Sequence, residues 1–263
     1  MEQHREMNKL LASLPPEETA KIAPDLEPVS LRRGQCLYRY GDQVSHVYFP
    51  VNAVASLFCP APDGKSCEIG MAGPESAVGL TTALGPDLAV HTAETLVSGR
   101  AMRIRADTLK WHCYAPGPLR LQVTHQLWAL LAQADRLASC NLHHQIPERL
   151  CRWLLTLRDR VGGDEFHVTH AQIAERLGIR RSGVTIQLGL LEELGAIEYR
   201  RRWIRIVRRA SLERISCECY ERSVQENGWA GVLQPGQGAR PVMPPPPYPT
   251  APPYPPRREW KPS

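Results

Sequence analysis

Between residues 167 and 210 the chain carries nine cations and four acids, and all nine cations are arginine. Six of them fall between Tyr199 and Arg209. A guanidinium is a planar fork of donors that matches phosphate oxygens, so an Arg-only cluster suits phosphate, although an isolated run of this kind is more often a solvated charged face. Other chemistries lack their residues. No G-x-x-x-x-G-K-[ST] loop and no H-E-x-x-H helix occurs, and Asp63, Ser66 and His91 have no triad context, so no enzyme is expected. The eight cysteines (Cys36, Cys59, Cys67, Cys113, Cys140, Cys151, Cys217 and Cys219) are irregularly spaced. At this chain length they make no disulfide framework, and reduced, mostly structural thiols are expected. His112-Cys113 and His143-His144 are adjacent pairs, and neighbouring residues seldom aim at one ion, so no metal is expected. Cys217 and Cys219 alternate and are candidates for oxidation.

The elements that must position the arginines follow from local pattern. Thr169 to Leu194 reads THAQIAERLGIRRSGVTIQLGLLEEL. Thr169 suits an N-cap, with Ile173, Ala174 and Leu177 on the inner face of a two-turn helix. Gly178 stands where a tight turn needs positive φ, and Val184, Leu188 and Leu191 carry a second helix. Small Ala174 lets the two helices cross closely, as a helix-turn-helix requires. The second helix presents Arg181, Ser182, Thr185 and Ile186 outward near its start, where side chains enter a major groove. Ile197 to Val207 alternates as a hairpin with Arg200, Arg201, Arg202 and Arg205 outward, a wing placed over flanking phosphates. Thr169, Arg180, Arg181, Ser182, Thr185, Ile186, Gln187, Arg200, Arg201 and Arg202 are therefore the candidate contacts to double-stranded DNA.

The rest of the 263 residues reads as a support for this reader. Gln3 to Ala23 suggests one or two short helices broken at Pro15-Pro16. From Val29 to Ile104, short apolar stretches alternate with turn signals at Gly34, Gly41-Asp42, Asp63-Gly64, Gly73 and Gly85, which predicts an antiparallel barrel or roll. After Pro118, Val123, Leu127, Leu130, Ala134, Leu137 and Asn141 recur in steps of three and four. That heptad seam is expected to pair two copies, with Trp128 and Leu131 packing on the roll. His143 to Ile146 reads as a hinge, and Pro147 opens a helix with Leu150, Trp153, Leu154 and Leu157 inward. Gln234 to Ser263 is proline-rich and expected to be a partly polyproline tail, with Pro245-Pro246-Pro247-Tyr248 suited to an aromatic groove. The expected organisation is 1–117 for N-terminal helices and roll, 118–146 for dimer helix and hinge, 147–222 for the winged helix and 223–263 for the tail. The fold class is α+β. No apolar run reaches the roughly 18 residues of a membrane span, and Met1 to Pro15 is too charged for a signal peptide, so a cytoplasmic protein is expected.

Residues 25 to 215 resemble the family of bacterial regulators named after the cyclic-AMP receptor protein and FNR. The resemblance rests on Gly34, Gly41-Asp42, Val47-Tyr48-Phe49-Pro50, Asp63-Gly64, Gly73 and Gly79 in the roll. In the reader it rests on Ile173-Ala174, Leu177-Gly178-Ile179-Arg180-Arg181, Val184-Thr185 and Gly195. It implies a homodimer that binds a two-fold-symmetric promoter site, with RNA polymerase as a further partner. It places DNA contacts on Arg181, Ser182 and Ile186. Ser182 stands where many relatives have an acid and Ile186 where they have Arg, while Gln187 is polar where an apolar residue is usual. Arg202 replaces the glycine usual at the wing tip. Relatives that bind cyclic nucleotides hold ribose with Gly-Glu and phosphate with Arg-Ser. The matching residues here, Gly79, Leu80, Val90 and His91, are the candidate ligand contacts but supply neither charge, so cyclic AMP is not expected. FNR-like relatives hold an iron–sulfur cluster with closely spaced N-terminal cysteines, whereas Cys36 is followed only by Cys59, so no cluster is expected.

Overall fold

The computed structural model describes residues 7–60 and 66–224. The proline-rich tail and the Asp63-Gly64 turn lie outside the described residues. Helices α1 (Lys9–Ala12) and α2 (Pro16–Ile22) open the described chain. Asn8 fastens them to the rest of the domain. Its side-chain oxygen accepts from the N–H groups of Leu10 and Leu11, and its amide donates to the carbonyls of Pro50 and Ser76 at 2.8 Å each.

The roll comprises β1 (Glu27–Leu31), β2 (Cys36–Tyr38), β3 (His46–Pro50), β4 (Val54–Pro60), β5 (Ser66–Ala72), α3 (Thr81–Leu84), β6 (Thr92–Val97) and β7 (Gly99–Arg105). Its strands pair antiparallel in two sheets ordered β1-β7-β3 and β2-β6-β4-β5. Residues 54–58 of β4 are buried without alternation, as a strand covered on both faces requires. Helix α4 (Ala106–His112) leads into the long α5 (Pro118–His143), and α6 (Ile146–Val161) follows a two-residue break. The reader is β8 (Glu165–His167), α7 (His170–Leu177), α8 (Arg181–Glu193), β9 (Ile197–Arg200), β10 (Trp203–Ile206) and α9 (Arg209–Ile215). Its small sheet is ordered β8-β10-β9, with α6, α7 and α8 packed around Trp153, Phe166 and Ile204. The class is α+β, with a roll, a long helix and a winged helix-turn-helix. Among the described residues no helix is long and apolar enough to cross a membrane.

Helix α5 corrects the predicted seam. Val123 is fully buried among Leu11, Phe49 and Leu109 of its own chain, Leu127 packs against the same cluster, and Leu130 packs beside Leu57 and Ala72. Leu137 is also buried, Ala134 is half-buried and Asn141 is exposed. The stripe exposed on the other side is Leu121 (48% exposed), Trp128 (52%), Leu131 (59%) and Leu142 (81%), which includes both residues expected to face the roll. Both stripes obey heptad spacing, so periodicity alone does not rank them. Gln133 decides. Its side-chain oxygen accepts from Met71 N at 2.8 Å and its amide donates to Met71 O at 3.3 Å, which holds that face of the helix against β5. Gly70 makes the approach feasible, since a Cβ there would stand 3.1 Å from the Gln133 side chain.

Candidate nucleic-acid interface

Helix α7 begins on a capping box. The Gln172 N–H donates to the Thr169 hydroxyl at 3.2 Å, and the Gln172 side chain accepts from Thr169 N at 3.0 Å. Thr169 is therefore engaged as a cap. Gly178 ends the helix at φ 64°, the left-handed conformation expected from its place in the sequence. Helix α8 then buries Val184, Leu188 and Leu191 and leaves Arg180, Arg181, Ser182, Thr185 and Ile186 exposed; Gln187 is half-buried. Thr185 is braced from two sides. Its hydroxyl donates to Arg181 O at 3.2 Å and lies 2.8 Å from His170 Nδ1. The His170 ring stacks on Tyr199 of β9, with centroids 4.6 Å apart. Tyr199 N in turn donates to Glu192 of α8 at 2.8 Å, so α7, α8 and the wing form one rigid face. Burial, and then the Arg181 guanidinium, lowers the His170 pKa.

The six clustered arginines divide by role. Arg205 pairs with Glu165 at 3.4 Å and Glu198 at 3.8 Å; Arg208 donates to the carbonyls of Leu194 and Gly195 that end α8; Arg209 binds Glu213 at 2.6 Å and Tyr220 at 2.9 Å. These three hold the reader together. Arg200, Arg201 and Arg202, like Arg180 and Arg181, are exposed and make no ion pair among the described residues. Five unneutralised guanidiniums thus flank the start of α8 and the tip of the wing, where an N-terminal helix dipole adds to their charge.

The wing turns on Arg201 (φ 47°) and Arg202 (φ 76°), which are the two non-glycine residues with positive φ among the described residues. The hairpin twist demands such a turn, normally met by Asn-Gly, and each substituted side chain costs about 1 kcal/mol there. Arg202→Gly should therefore raise stability by about 1 kcal/mol while flattening the salt dependence of duplex binding by about 0.9 per half-site, the share of one phosphate contact. Chemical denaturation and a salt titration read both effects.

The candidate ligand residues divide as well. Gly79, Leu80 and His91 line one cavity with Gln126, Leu130, Gln133 and Arg160, whereas Val90 is 59% exposed and does not line it. The cavity has a volume of about 30 Å³, room for one or two waters. Arg160 of α6 reaches in and pairs with Glu75 at 2.9 Å. His91 Nε2 lies 2.9 Å from the Tyr38 hydroxyl, within hydrogen-bond reach. Burial pushes the His91 pKa down to about 4. A histidine lowered on folding binds fewer protons than the unfolded chain between about pH 6.5 and 4, so its contribution is complete above that window and is lost as pH falls through it. Wild-type protein should lose about 3 kcal/mol more than His91→Gln between pH 7 and pH 4, measured by urea unfolding at each pH.

The reader is docked on the roll through a buried polar knot that its sequence did not announce. Arg176 of α7 donates to Glu94 of β6 and to its neighbour Glu175 at 2.9 Å each, and its guanidinium lies 3.8 Å from the centre of the Phe58 ring. Glu68 of β5, fully enclosed, accepts from Trp153 Nε1 at 3.0 Å and from the Ser56 hydroxyl, with Arg176 Nε 4.0 Å away. Burial raises the Glu68 pKa, and the hydrogen bonds and Arg176 oppose that rise.

Comparison with known proteins agrees with this architecture. Residues 28–113 match the cyclic nucleotide-binding domain family, and residues 148–215 match the Crp-like helix-turn-helix domain family. A CRP-like cAMP-activated global transcriptional regulator of Mycobacterium tuberculosis is 26% identical over 203 residues, covering 73% of this chain and 85% of that protein. The solved structure of FixK2 from Bradyrhizobium japonicum superposes with a TM-score of 0.63 at 17% identity, over 73% of this chain and 98% of that one. A transcriptional regulator of the crp/fnr family from Eubacterium rectale gives 0.61 at 17% identity, over 78% and 96%. At these identities the two structures speak for the fold.

Proposed function

Given that the chain belongs to the Crp/Fnr family of DNA-binding transcriptional regulators, we propose that it acts as a homodimer on two-fold-symmetric duplex sites, through a roll that takes no cyclic nucleotide. The observation that carries this reading is the set of five unneutralised arginines, Arg180, Arg181, Arg200, Arg201 and Arg202, around the exposed start of α8. That helix enters one major groove, and a second copy enters the next, about 34 Å away along the same face of the duplex.

The exposed stripe Leu121, Trp128, Leu131 and Leu142 supports α5-to-α5 pairing, because it repeats at coiled-coil spacing on the face that the roll leaves open. The small cavity beside Gly79, Leu80 and His91, closed by the Glu75–Arg160 pair, supports a roll without a nucleotide. A drug-sized ligand occupies at least about 300 Å³. RNA polymerase as a partner and a cytoplasmic location belong to the same reading.

Leu121→Glu combined with Leu131→Glu should give a monomer at micromolar concentration that fails to bind a palindrome, whereas Leu127→Ala should remain dimeric and lose stability instead. Sedimentation and band-shift assays read the difference. A monomeric wild type, or a Leu127 variant that dissociates, would sink the assignment. Fragments selected from random duplex DNA supply the palindrome, and calorimetric heat with cyclic AMP or cyclic GMP would overturn the reading of the roll.

A further inference from the structure

The end of α5 and the segment after α9 meet at four side chains that duplex reading does not use. Cys140 lies in the last turn of α5, His144 caps that helix with its N–H donated to Cys140 O, and Cys217 and Cys219 alternate just beyond α9. Three sulfurs and one ring nitrogen all lie within 4.8 Å of one another. Cys140 Sγ is 3.6 Å from Cys217 Sγ, and Cys219 Sγ is 3.7 Å from His144 Nδ1. The three cysteines are buried, and all three are free thiols. We propose that Cys140, His144, Cys217 and Cys219 bind one tetrahedral metal ion of the zinc class.

The distances favour a mononuclear ion. Metal–sulfur bonds of about 2.3 Å in a tetrahedron place the sulfurs about 3.8 Å apart, close to what the chain already provides. An iron–sulfur cluster does not fit, because its bridging sulfides push cysteine ligands on different irons well beyond this span. Three thiolates and one imidazole are a structural zinc set, and the geometry leaves no open position for substrate. The surroundings are those of a ligating histidine. With Nδ1 turned to the sulfurs, His144 presents Nε2 to Glu218 Oε2 at 3.3 Å, the carboxylate partner that fixes the ring and makes it a better ligand.

Charge is also provided for. Three thiolates around a dication leave one negative charge, and the guanidiniums of Arg136, Arg149 and Arg152 act on these sulfurs. Arg149 Nε and Arg152 Nε are buried donors without a hydrogen-bond partner among the described residues, available to thiolate sulfur. The proposal departs from the sequence expectation of no metal, which considered adjacent pairs such as His143-His144. The chain closes a set from residues up to 79 positions apart in sequence.

The position gives the ion a task. The reader, α6 to α9, leaves α5 just after His144 and ends just before Cys217. One ion would fasten both ends of the reader to the end of the dimer helix and stiffen the hinge between them. This consequence rests on the duplex-binding reading; the metal chemistry does not.

The full chain, purified without chelator, should carry about one zinc per chain by elemental mass spectrometry. Stripped protein given cobalt(II) should show the visible bands of tetrahedral cobalt with sulfur-to-metal charge transfer. Glu218→Gln, a change at an exposed side chain, should weaken zinc binding about 10- to 100-fold without unfolding the protein. His144→Cys should still bind cobalt with a stronger charge-transfer band. Absence of zinc together with absence of the cobalt bands overturns the site, as does acid-labile sulfide or a Cys140–Cys217 disulfide in protein isolated without oxygen. None of these measurements contains DNA, so their failure leaves the duplex reading intact. If zinc binds and its removal leaves affinity for the palindrome unchanged, the site stands and its task at the hinge is overturned.

Discussion

Replacing Arg176 with Met should cost about 3 to 5 kcal/mol of stability at neutral pH, the price of leaving a buried charge without its partner. The Arg176 side chain is fully enclosed, and its guanidinium meets Glu94, Glu175 and the Phe58 ring while standing 4.0 Å from Glu68. Methionine keeps the stem and the ring contact but withdraws the charge. Glu68 has nowhere to turn, since Ser56 and Trp153 already supply its hydrogen bonds and its carboxyl is sealed from solvent. Its raised pKa sets the pH dependence. A carboxyl raised on folding is held most strongly as the neutral acid, so it penalises the fold as pH climbs past the unfolded pKa. Without Arg176 that penalty grows, and the cost of Arg176→Met should therefore be smaller at pH 5 than at pH 8. Glu68→Gln removes the charge that needs neutralising, so the double variant should be less damaged than the sum of the single ones by about 1 to 3 kcal/mol. Additive losses in urea unfolding would show that Glu68 and Arg176 are not coupled.

What could be read in advance divides by range in sequence. The cap at Thr169, the left-handed Gly178 and the inward set Val184, Leu188 and Leu191 are local features, each fixed by one backbone requirement within a few residues, and the structure contains them as expected. The strands of the roll were legible for the same reason. Helix α5 was legible as a helix but not in its rotation, because two apolar stripes one or two residues apart satisfy the same repeat. Gln133, polar and unremarkable in sequence, selects between them only when Met71 is placed opposite. Arg176 is one of nine arginines in the basic stretch; its partners Glu68 and Glu94 lie in another domain, and nothing local marks them. The one available hint was Arg176 sitting beside Leu177 on the buried side of a two-turn helix. The same holds for Cys140 and His144, whose spacing of four across the end of a helix was a usable signal, but only folding supplies Cys217 and Cys219. Arg201 and Arg202 are the opposite case, where strand pairing imposes positive φ against local preference.

Two arginines on the same face should fail in different ways when removed, and the contrast tests how the reader recognises its site. Arg181 opens α8, is exposed, has no ion-pair partner among the described residues, and lies near the His170 and Tyr199 rings that brace the helix. From the first turn of a helix in the major groove, a guanidinium can bond guanine O6 and N7 together, a pattern unique to that base. Arg181→Ala should cost about 1 to 3 kcal/mol on the selected palindrome, roughly 5- to 150-fold per half-site, and little on random duplex, so one base per half-site becomes tolerant. Arg201 stands at the wing tip, where the duplex-binding reading sets it over flanking phosphates. Arg201→Ala should weaken specific and random duplexes alike and reduce the salt slope by about 0.9 per half-site. Band-shift titrations of both variants on both DNAs, repeated at several salt concentrations, separate the two behaviours. Equal losses on specific and random DNA for Arg181→Ala would assign that residue to the backbone and leave base recognition to Ser182, Thr185 and Ile186. A base-dependent loss for Arg201→Ala would mean that the wing enters a groove rather than riding over the strands.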